Sequence, residues 1–310
     1  MAGRWLGLDL GGTNIKSAVL SVDASGQAEG IEVVGCAQRP AGAEHGPQAV
    51  VANLAAAGRD AVERWGPVDG AAVGVPGLFD DSSGAIEFLP NLPGAWKGEP
   101  LTGPLGAALE VPTSIINDAR AFTLAESRLG AAAGCDTVAA LVLGTGIGGG
   151  IVVGGRLHFG RMGRAGEFSH QIVVPDGPPC TCGNRGCLEA VAASGAIARL
   201  AGTRTVRQAF EAAAQGNERA VAAVAEVTNY LGIAIANIVT VLVPERVVIG
   251  GGVAEAGDAL LTLVREATAR HCVLVPPDWY DIVPAKLGPH AGAIGAAVWA
   301  MDGAFSRRAP

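Results

Sequence analysis

The chain has 310 residues, of which 49% are apolar and 16% are charged, and its formal net charge is −7. This composition indicates a globular protein with enough chain for two domains, and the acidic balance argues against nucleic acid as a partner. Neither a secretion signal nor an apolar run long enough for a bilayer is recognisable, so we expect a cytoplasmic protein without a membrane partner. Cys36, Cys135 and Cys272 are scattered singly, as reduced cytosolic thiols are.

The opening stretch, Arg4 to Leu20, is predicted to be a strand, a glycine turn and a second strand. Gly11 and Gly12 allow backbone N–H groups to approach an anion. The residues after them add donors and a positive charge: Thr13, Asn14 and Lys16. A strand follows instead of a helix, which excludes a Walker A loop. An ordinary hairpin turn and a phosphate cradle fit these residues equally well.

The rest of the first half alternates strands and helices. The predicted elements are extended segment 31–39, helix 47–65, strand 70–75, a turn-rich loop at 88–96, strand 112–116 and helix 119–130. Asn91 in the loop is either a ligand-binding side chain or part of a local turn. Asp118 lies between a strand and a helix, where a carboxylate serves either as a general base or as a helix N-cap.

The second half repeats the opening pattern. Residues 137–153 form a second predicted strand–turn–strand, and the G-x-G-x-x-G match at Gly144, Gly146 and Gly149 is followed by a strand, which excludes a dinucleotide-binding turn. The pattern predicts a duplicated α/β unit with a nucleotide phosphate tail between the turns. The remaining elements are helices 188–201, 206–215, 218–239 and 255–270, strands 246–249 and 281–283, and a final helix 292–301 that packs back on the first domain. The glycines at 250–252 make a tight turn or a surface for a purine.

Residues 166–189 (GEFSHQIVVPDGPPCTCGNRGCLE) carry a candidate metal site. One imidazole and three thiols, from His170, Cys180, Cys182 and Cys187, form the ligand set of a closed, tetrahedral structural zinc site. The alternative is three unrelated reduced thiols. A zinc ion would hold Glu167 and Glu189 in a rigid loop, where their carboxylates suit the hydroxyls of a polyol. Otherwise the two glutamates are solvated surface charges.

Together these motifs resemble the ROK family of sugar kinases, and within it the bacterial ATP-dependent glucokinases, over essentially the whole chain. The resemblance depends on an ordered set of motifs: LGLDLGGTNIK, GVPG at 74–77, PNL at 90–92, ND at 117–118, LGTGIGGG, GEFSH, CTCGNRGCLE and VVIGGG. It implies an α/β fold of two RNase-H-like, actin/hexokinase-type domains around a cleft, with a structural zinc loop. We place the smaller N-terminal domain at 1–116 plus 292–310 and the larger one at 117–291.

The resemblance also implies ATP, Mg²⁺ and structural Zn²⁺, and a homo-oligomer, either a dimer or a tetramer. Asp118 matches the base that takes the proton from the attacking hydroxyl. The positions that match the sugar ligands are Asn91, Asn117, Asp118, Glu167, His170 and Glu189. Those that match the contacts of magnesium and nucleotide are Asp9, Gly11, Gly12, Thr13, Lys16, Thr145, Gly146, Gly251 and Gly252.

We therefore expect phosphorylation of a hexose hydroxyl, with glucose to glucose 6-phosphate as the leading reaction. Four features depart from the family pattern: Phe168 and Ser169 in GEFSH, the extra residue in NLPGAW, Arg120 and Phe122. They keep open an amino-sugar or C7-cyclitol kinase of a biosynthetic pathway. A sugar-responsive regulator without activity is a further alternative, although the first strand begins near residue 4 and leaves no room for a preceding helix-turn-helix domain. A zinc-stabilised binding module is the third.

Overall fold

The computed structural model describes residues 3–23, 28–80, 83–90 and 92–306, so Asn91 lies outside the described residues. The chain divides into two compact units. Unit 1 is Met1–Leu129 with Leu287–Pro310, and unit 2 is Gly130–Lys286. Unit 1 is therefore discontinuous in sequence.

The first part of unit 1 contains β1 (Gly3–Leu10), β2 (Asn14–Val22), β3 (Ile31–Pro40), α1 (Pro47–Trp65), β4 (Gly70–Val75), β5 (Leu78–Phe79), β6 (Ile86–Phe88), α2 (Thr102–Leu109), β7 (Thr113–Asn117) and α3 (Asp118–Arg128). Unit 2 contains β8 (Val138–Leu143), β9 (Ile147–Val153), β10 (Arg156–Leu157), α4 (Leu188–Ala192), α5 (Ser194–Ala201), α6 (Val206–Ala214), α7 (Glu218–Leu242), β11 (Arg246–Gly250), α8 (Asp258–His271) and β12 (Asp281–Pro284). The last helix, α9 (Ala291–Ser306), belongs to unit 1.

The two main sheets have the same topology. Unit 1 orders its strands β3-β2-β1-β4-β7, and unit 2 orders them β10-β9-β8-β11-β12. In each sheet the first three strands along the chain are antiparallel neighbours, and the last two run parallel to the first. This repetition confirms the predicted duplicated α/β unit and the predicted fold class.

Strand β1 separates two layers of unit 1, because alternate side chains of a strand point to opposite faces. Leu6, Leu8 and Leu10 are fully buried in a core that also contains Leu54 of α1. On the other face α9 approaches so closely that a Cβ on Gly7 would lie 1.8 Å from the carbonyl oxygen of Ala293. The helix predicted to pack back on the first domain therefore does so.

Unit 2 has its own core, in which Leu141 and Leu143 of β8 are fully buried together with Leu231 and Ile235 of α7. Helix α7 is also the one helix among the described residues that is long and apolar enough to cross a bilayer. More than half of its most apolar window, 56%, is buried inside the protein, as expected of a core helix.

Several sequence predictions match the structure and several do not. Helix α1 and strand β4 have the predicted bounds. The predicted helix 188–201 is wrong as a single element, because Ala193 is extended (φ −67°, ψ 159°) and separates α4 from α5. Helix α2 was not predicted. The two compact units divide at 129/130 and 286/287, and the domain boundaries at 116/117 and 291/292 stay a prediction. Helix α3 packs against α9 within unit 1, where a Cβ on Gly295 would lie 1.7 Å from the Ala121 carbonyl oxygen.

Candidate active site and metal cluster

Three charged side chains lie at one end of the unit 1 sheet, where β1 and β7 end and β2 begins. Asp9 and Lys16 are directly opposed across the β1–β2 pair, so their side chains share a face of the sheet. Burial, and then the charge of Asp118, raise the pKa of Asp9 to about 7, while Lys16 opposes the shift. A carboxyl group that resists ionisation beside a second carboxylate is a place where a cation is stabilising.

The geometry at the start of α3 decides which of Asn117 and Asp118 is the helix N-cap. The N-cap of α3 is Asn117, whose Oδ1 accepts hydrogen bonds from the backbone N–H groups of Ala119 (3.1 Å) and Arg120 (3.2 Å). Asp118 is the first helical residue, and its Oδ1 accepts from Ala119 N at 2.8 Å. Capping by Asn117 leaves its amide NH₂ as a donor group, and Asp118 does not act as the cap.

Two further residues lie near Asp9 and Lys16 and were not predicted from the sequence, namely Gly292 and His290. A Cβ on Gly292 would lie 2.7 Å from Oδ2 of Asp9, so the first turn of α9 packs directly on that carboxylate. His290 precedes α9, and its Nε2 is buried with no hydrogen-bond partner among the described residues. Burial first, and then the charge of Lys16, lower the pKa of His290, which a hydrogen bond to the backbone of Ala37 partly offsets. The small-residue run after Pro289 is the one sequence signal that could have suggested this close approach.

The first glycine turn joins β1 to β2 and is closed by its own backbone. Gly11 N donates to the carbonyl oxygen of Asn14 at 2.9 Å, and Thr13 O accepts from Ala41 N at 2.8 Å. Gly12 and Thr13 are exposed. The turn therefore presents two exposed residues beside Asp9 and Lys16.

The second glycine turn, in unit 2, joins β8 to β9. Gly144 N donates to Gly146 O at 2.9 Å, and Thr145 between them is exposed. The glycine turn after β11 lies against its base: Gly251 has φ +87°, and a Cβ there would lie 2.4 Å from Leu143 O. Only glycine combines this backbone conformation with so close a contact. Unit 2 thus brings Thr145, Gly146 and Gly251 together, with Gly252 exposed next to them.

His170, Cys180, Cys182 and Cys187 come together as the sequence predicted. Their four candidate ligand atoms all lie within 4.8 Å of one another. Nδ1 of His170 is 3.7 Å from Sγ of Cys180, and Sγ of Cys182 is 3.7 Å from Sγ of Cys187. A tetrahedral zinc ion with usual bond lengths places such pairs about 3.6 and 3.8 Å apart, so the donor set and its spacing fit zinc.

The pKa shifts of the thiols also fit a zinc site. Burial, and then hydrogen bonds with Cys182 and Cys180, raise the pKa of Cys187 to about 12. The pKa of Cys182 is lowered, chiefly by a hydrogen bond to the backbone of Asn184. Clustered thiols cannot all ionise without a compensating cation, and zinc binds the thiolate form. The residues could therefore hold a zinc ion.

The two glutamates of the metal loop are placed differently. Glu167 is exposed, and its backbone carbonyl accepts from His170 N at 3.2 Å. Glu189, in the first turn of α4, reaches the second glycine turn: its Oε2 accepts from Ile147 N at 3.0 Å. No local sequence pattern indicates this contact, because Ile147 and Glu189 are far apart along the chain.

Comparisons with known proteins place these features in a family. Residues 5–303 match the ROK family. The glucokinase of Thermotoga maritima is 35% identical over 314 residues, covering 95% of this chain and 96% of that protein. The ROK hexokinase of Thermus thermophilus has a TM-score of 0.86 and 35% identity, with 98% of this chain and 99% of that chain covered.

The structure of a ROK family glucokinase from Streptomyces griseus, in complex with glucose and AMPPNP, has a TM-score of 0.78 at 31% identity and covers 97% of this chain and all of that one. Two relatives that match over a smaller share of their own length carry other names. The bifunctional enzyme NanE/NanK of Brucella suis is 41% identical over 202 residues, which are 64% of this chain and 36% of that protein. The xylose repressor of Bacillus subtilis is 29% identical over 237 residues, which are 75% of this chain and 61% of that protein. The family match over nearly the whole chain, and the full-length likeness to these kinases, show that the chain belongs to the ROK family.

Proposed function

We propose that this protein is an ATP-dependent sugar kinase that phosphorylates a hexose hydroxyl, with glucose to glucose 6-phosphate as the leading reaction. The observation that carries the proposal is the pairing of Asp118 with Asp9 at the carboxyl ends of β7 and β1. Phosphoryl transfer needs a positioned base, charge neutralisation and alignment, and little covalent help from the protein. The glucokinase relatives with full-length similarity support the choice of sugar.

Asp118 is the proposed general base. Its Oδ1 is oriented by the N–H of Ala119 at the start of α3, which fixes the carboxylate without using the side chain as a cap. The base accepts the proton of the attacking hydroxyl, at C6 in a glucokinase. Asn117 donates from its amide group to a sugar oxygen, since its Oδ1 is engaged by the helix.

We propose that Asp9 and Lys16 neutralise the charge of the transferred phosphoryl group, Asp9 through magnesium. Gly11, Gly12 and Thr13 are proposed to contact the same group. Magnesium suits this place because it prefers carboxylate oxygens and phosphates as ligands, and Asp9 is a carboxyl group that burial, and then the charge of Asp118, keep from ionising fully. When bound, the ion would neutralise phosphate charge. Lys16 supplies a fixed positive charge on the same face as Asp9.

In unit 2, Thr145, Gly146, Gly251 and Gly252 are proposed to bind the nucleotide, and Glu167, His170 and Glu189 the sugar. Asn91 keeps its expected role in sugar binding. Zinc at His170, Cys180, Cys182 and Cys187 would make the sugar loop rigid and take no part in the chemistry. The homo-oligomer and the cytoplasmic location stay predictions.

An amino-sugar or C7-cyclitol kinase is the second candidate, and the likeness to NanE/NanK favours keeping it. A non-catalytic, sugar-responsive regulator is the third, because the xylose repressor is also similar to this chain. The departures from the family pattern are largely internal: Phe168, Ser169, Arg120 and Phe122 are all buried. They can change the shape of a site through packing.

The test is coupled ADP release by zinc-loaded protein with ATP, Mg²⁺ and a polyol panel. The panel contains glucose, mannose, fructose, N-acetylglucosamine, N-acetylmannosamine, 3-amino-3-deoxyglucose and a C7-cyclitol. We expect the highest kcat/KM with glucose. Turnover confined to an amino-sugar or a cyclitol would replace the glucokinase proposal by the second candidate. Sugar binding without ADP release would favour the regulator.

A further inference from the structure

Glu189 connects the metal cluster to the second glycine turn. We infer that Glu189 is a positioning residue through which an ordered metal cluster holds the turn at 144–146 in the shape that binds nucleotide phosphate. The inference depends on the proposed function, since that proposal places the nucleotide at this turn. It adds a role for Glu189 in unit 2 that is separate from any contact with sugar.

The side chain of Glu189 touches both partners at once. Its Oε2 accepts from Ile147 N at 3.0 Å, and a Cβ on Gly146 would lie 2.7 Å from the same oxygen. Its Oε1 is 3.4 Å from the hydroxyl of Thr181, which lies between two of the metal-site cysteines. One carboxylate therefore spans the distance between the metal loop and the glycine turn.

A second contact fixes the other side of the turn. Cys187 is the N-cap of α4, and this five-residue helix ends at the extended residue Ala193. The break leaves the N–H of Ser194 outside the helix hydrogen bonds, and it donates to Gly144 O at 2.9 Å. The glycine turn is thus contacted by Glu189 in the first turn of α4, which follows a metal ligand, and by Ser194, the first residue of α5.

The turn needs this external support. Gly144 and Gly146 have no side chains, and Thr145 is exposed, so nothing inside the turn restricts it except its one backbone hydrogen bond. Loss of order in the metal loop would release Thr181 and α4, and the turn would adopt more conformations. Apparent affinity falls in proportion to the fraction of protein in the binding-competent conformation.

Two substitutions separate this role from sugar binding. Glu189→Gln keeps an oxygen that accepts from Ile147 N and changes only the charge and the donor pattern. Glu189→Ala removes the acceptor. If Glu189 acted only by binding sugar, both substitutions would weaken its function. If it supports the turn, only the alanine substitution removes that support. Glu218→Ala is a matched control, because Glu218 is an exposed glutamate in the first turn of α7.

The experiment measures AMPPNP binding by calorimetry with Mg²⁺ and no sugar, and hydrogen exchange of the Ile147 amide. We expect about tenfold weaker binding and faster exchange for Glu189→Ala and for chelator-treated wild type, and wild-type values for Glu189→Gln and Glu218→Ala. Chelation should add little to the effect of Glu189→Ala.

Three results would overturn the inference. These are wild-type affinity and exchange in Glu189→Ala, an equal loss in Glu189→Gln, and a full additional loss when the alanine variant is chelated. Should the protein bind no nucleotide, the proposed function fails, and the exchange of the Ile147 amide still decides the inference. Exchange that depends on both the metal and Glu189 supports the coupling, and exchange that depends on neither refutes it.

Discussion

The two glycine turns occupy the same place in two sheets of the same strand order, yet they are built from different chemistry. In unit 1 the strands on either side of the turn carry Asp9 opposite Lys16. At the corresponding register in unit 2, Val142 is opposite Gly148. The first turn is therefore flanked by ionisable groups, and the second offers only backbone groups and one hydroxyl.

The source of support differs as well. The first turn is closed by Gly11 and Asn14 and is tied to the start of the chain segment after β3. The second is closed by Gly144 and Gly146 and is contacted from outside by Glu189 and Ser194. The repeated fold thus keeps its backbone, while charged residues on the flanking strands occur in the first copy and contact with Glu189 of the metal loop occurs in the second.

The largest expected effect comes from a substitution in the charged site of unit 1. Asp118→Asn should lower kcat by about 10²–10⁴-fold, because the amide cannot accept the proton of the attacking hydroxyl. Sugar binding should persist, since the shape and hydrogen-bonding capacity of the side chain are nearly kept. Steady-state ADP release and calorimetric titration with glucose measure the two effects. Asp60→Asn, at an exposed carboxylate paired with Arg39, is the control and should be neutral. Near-normal turnover of the Asp118 variant would remove it from the role of base.

The next effect concerns the metal side. Cys182→Ser should abolish stoichiometric zinc binding, raise KM for sugar and lower Tm by about 5–10 °C, because loss of a bound metal removes its contribution to folding stability. Elemental analysis and thermal unfolding measure both. Cys135→Ser changes a cysteine outside the cluster and should keep the metal. If Cys182→Ser retains a full equivalent of zinc, the cluster is not the metal site.

A third prediction uses the pKa of Asp9. A carboxyl group whose pKa rises on folding stabilises the folded chain while it is protonated, so its contribution is complete below about pH 4 and is lost as pH rises through about 7. Asp9→Asn should remove this loss and make the metal-free protein more stable than wild type at pH 8. We expect the free energy of unfolding of Asp9→Asn at pH 8 to exceed that of wild type by about 2 kcal/mol. This is less than the full pKa shift would correspond to, because Asp9 is half-buried and partly solvated.

Urea unfolding at pH 4, 6 and 8 measures this difference. The excess stability of the Asp9→Asn variant over wild type should grow with pH. We expect the same variant to lose turnover. An advantage of equal size at all three pH values would mean that Asp9 ionises normally.

The smallest effect tests the external support of the second turn. Gly146→Ala places a methyl group 2.7 Å from Oε2 of Glu189, so that side chain has to move. We expect a few-fold weaker nucleotide binding and about 1 kcal/mol of destabilisation. Gly195→Ala on α5 has open space around the new methyl group and should leave affinity unchanged. Unaltered affinity in Gly146→Ala would show that the turn tolerates displacement of Glu189.

The sequence predicted what depends on local patterns. Helix α1 repeats apolar residues on one face, and both hairpins alternate around glycines, so their bounds agree closely with the structure. The metal cluster was predicted because its ligands are close in sequence and chemically distinctive. Helix α2 lacks a strong apolar repeat and was missed.

Long-range contacts account for what could not be predicted. Ala193 interrupts the predicted helix two residues before Gly195, where Ser194 bonds to a turn that precedes it by about fifty residues. The approach of Gly292 to Asp9, and that of Glu189 to Ile147, likewise depend on tertiary packing that no local pattern records. Asn117 and Asp118 are both good caps by type, and only the geometry assigns the cap to Asn117.

The discontinuity of unit 1 has a consequence for how the protein is made. Unit 2 is a continuous segment, so it can fold on the ribosome before α9 has been synthesised. The partner of β1 on the Asp9 face is α9, which is translated nearly three hundred residues later. Until then the close packing at Gly7 is absent, and the face that bears Asp9 stays open to water. Packing of the charged site therefore waits until α9 has been translated, and a nascent chain stalled before residue 291 should hold a folded unit 2 and an incomplete unit 1.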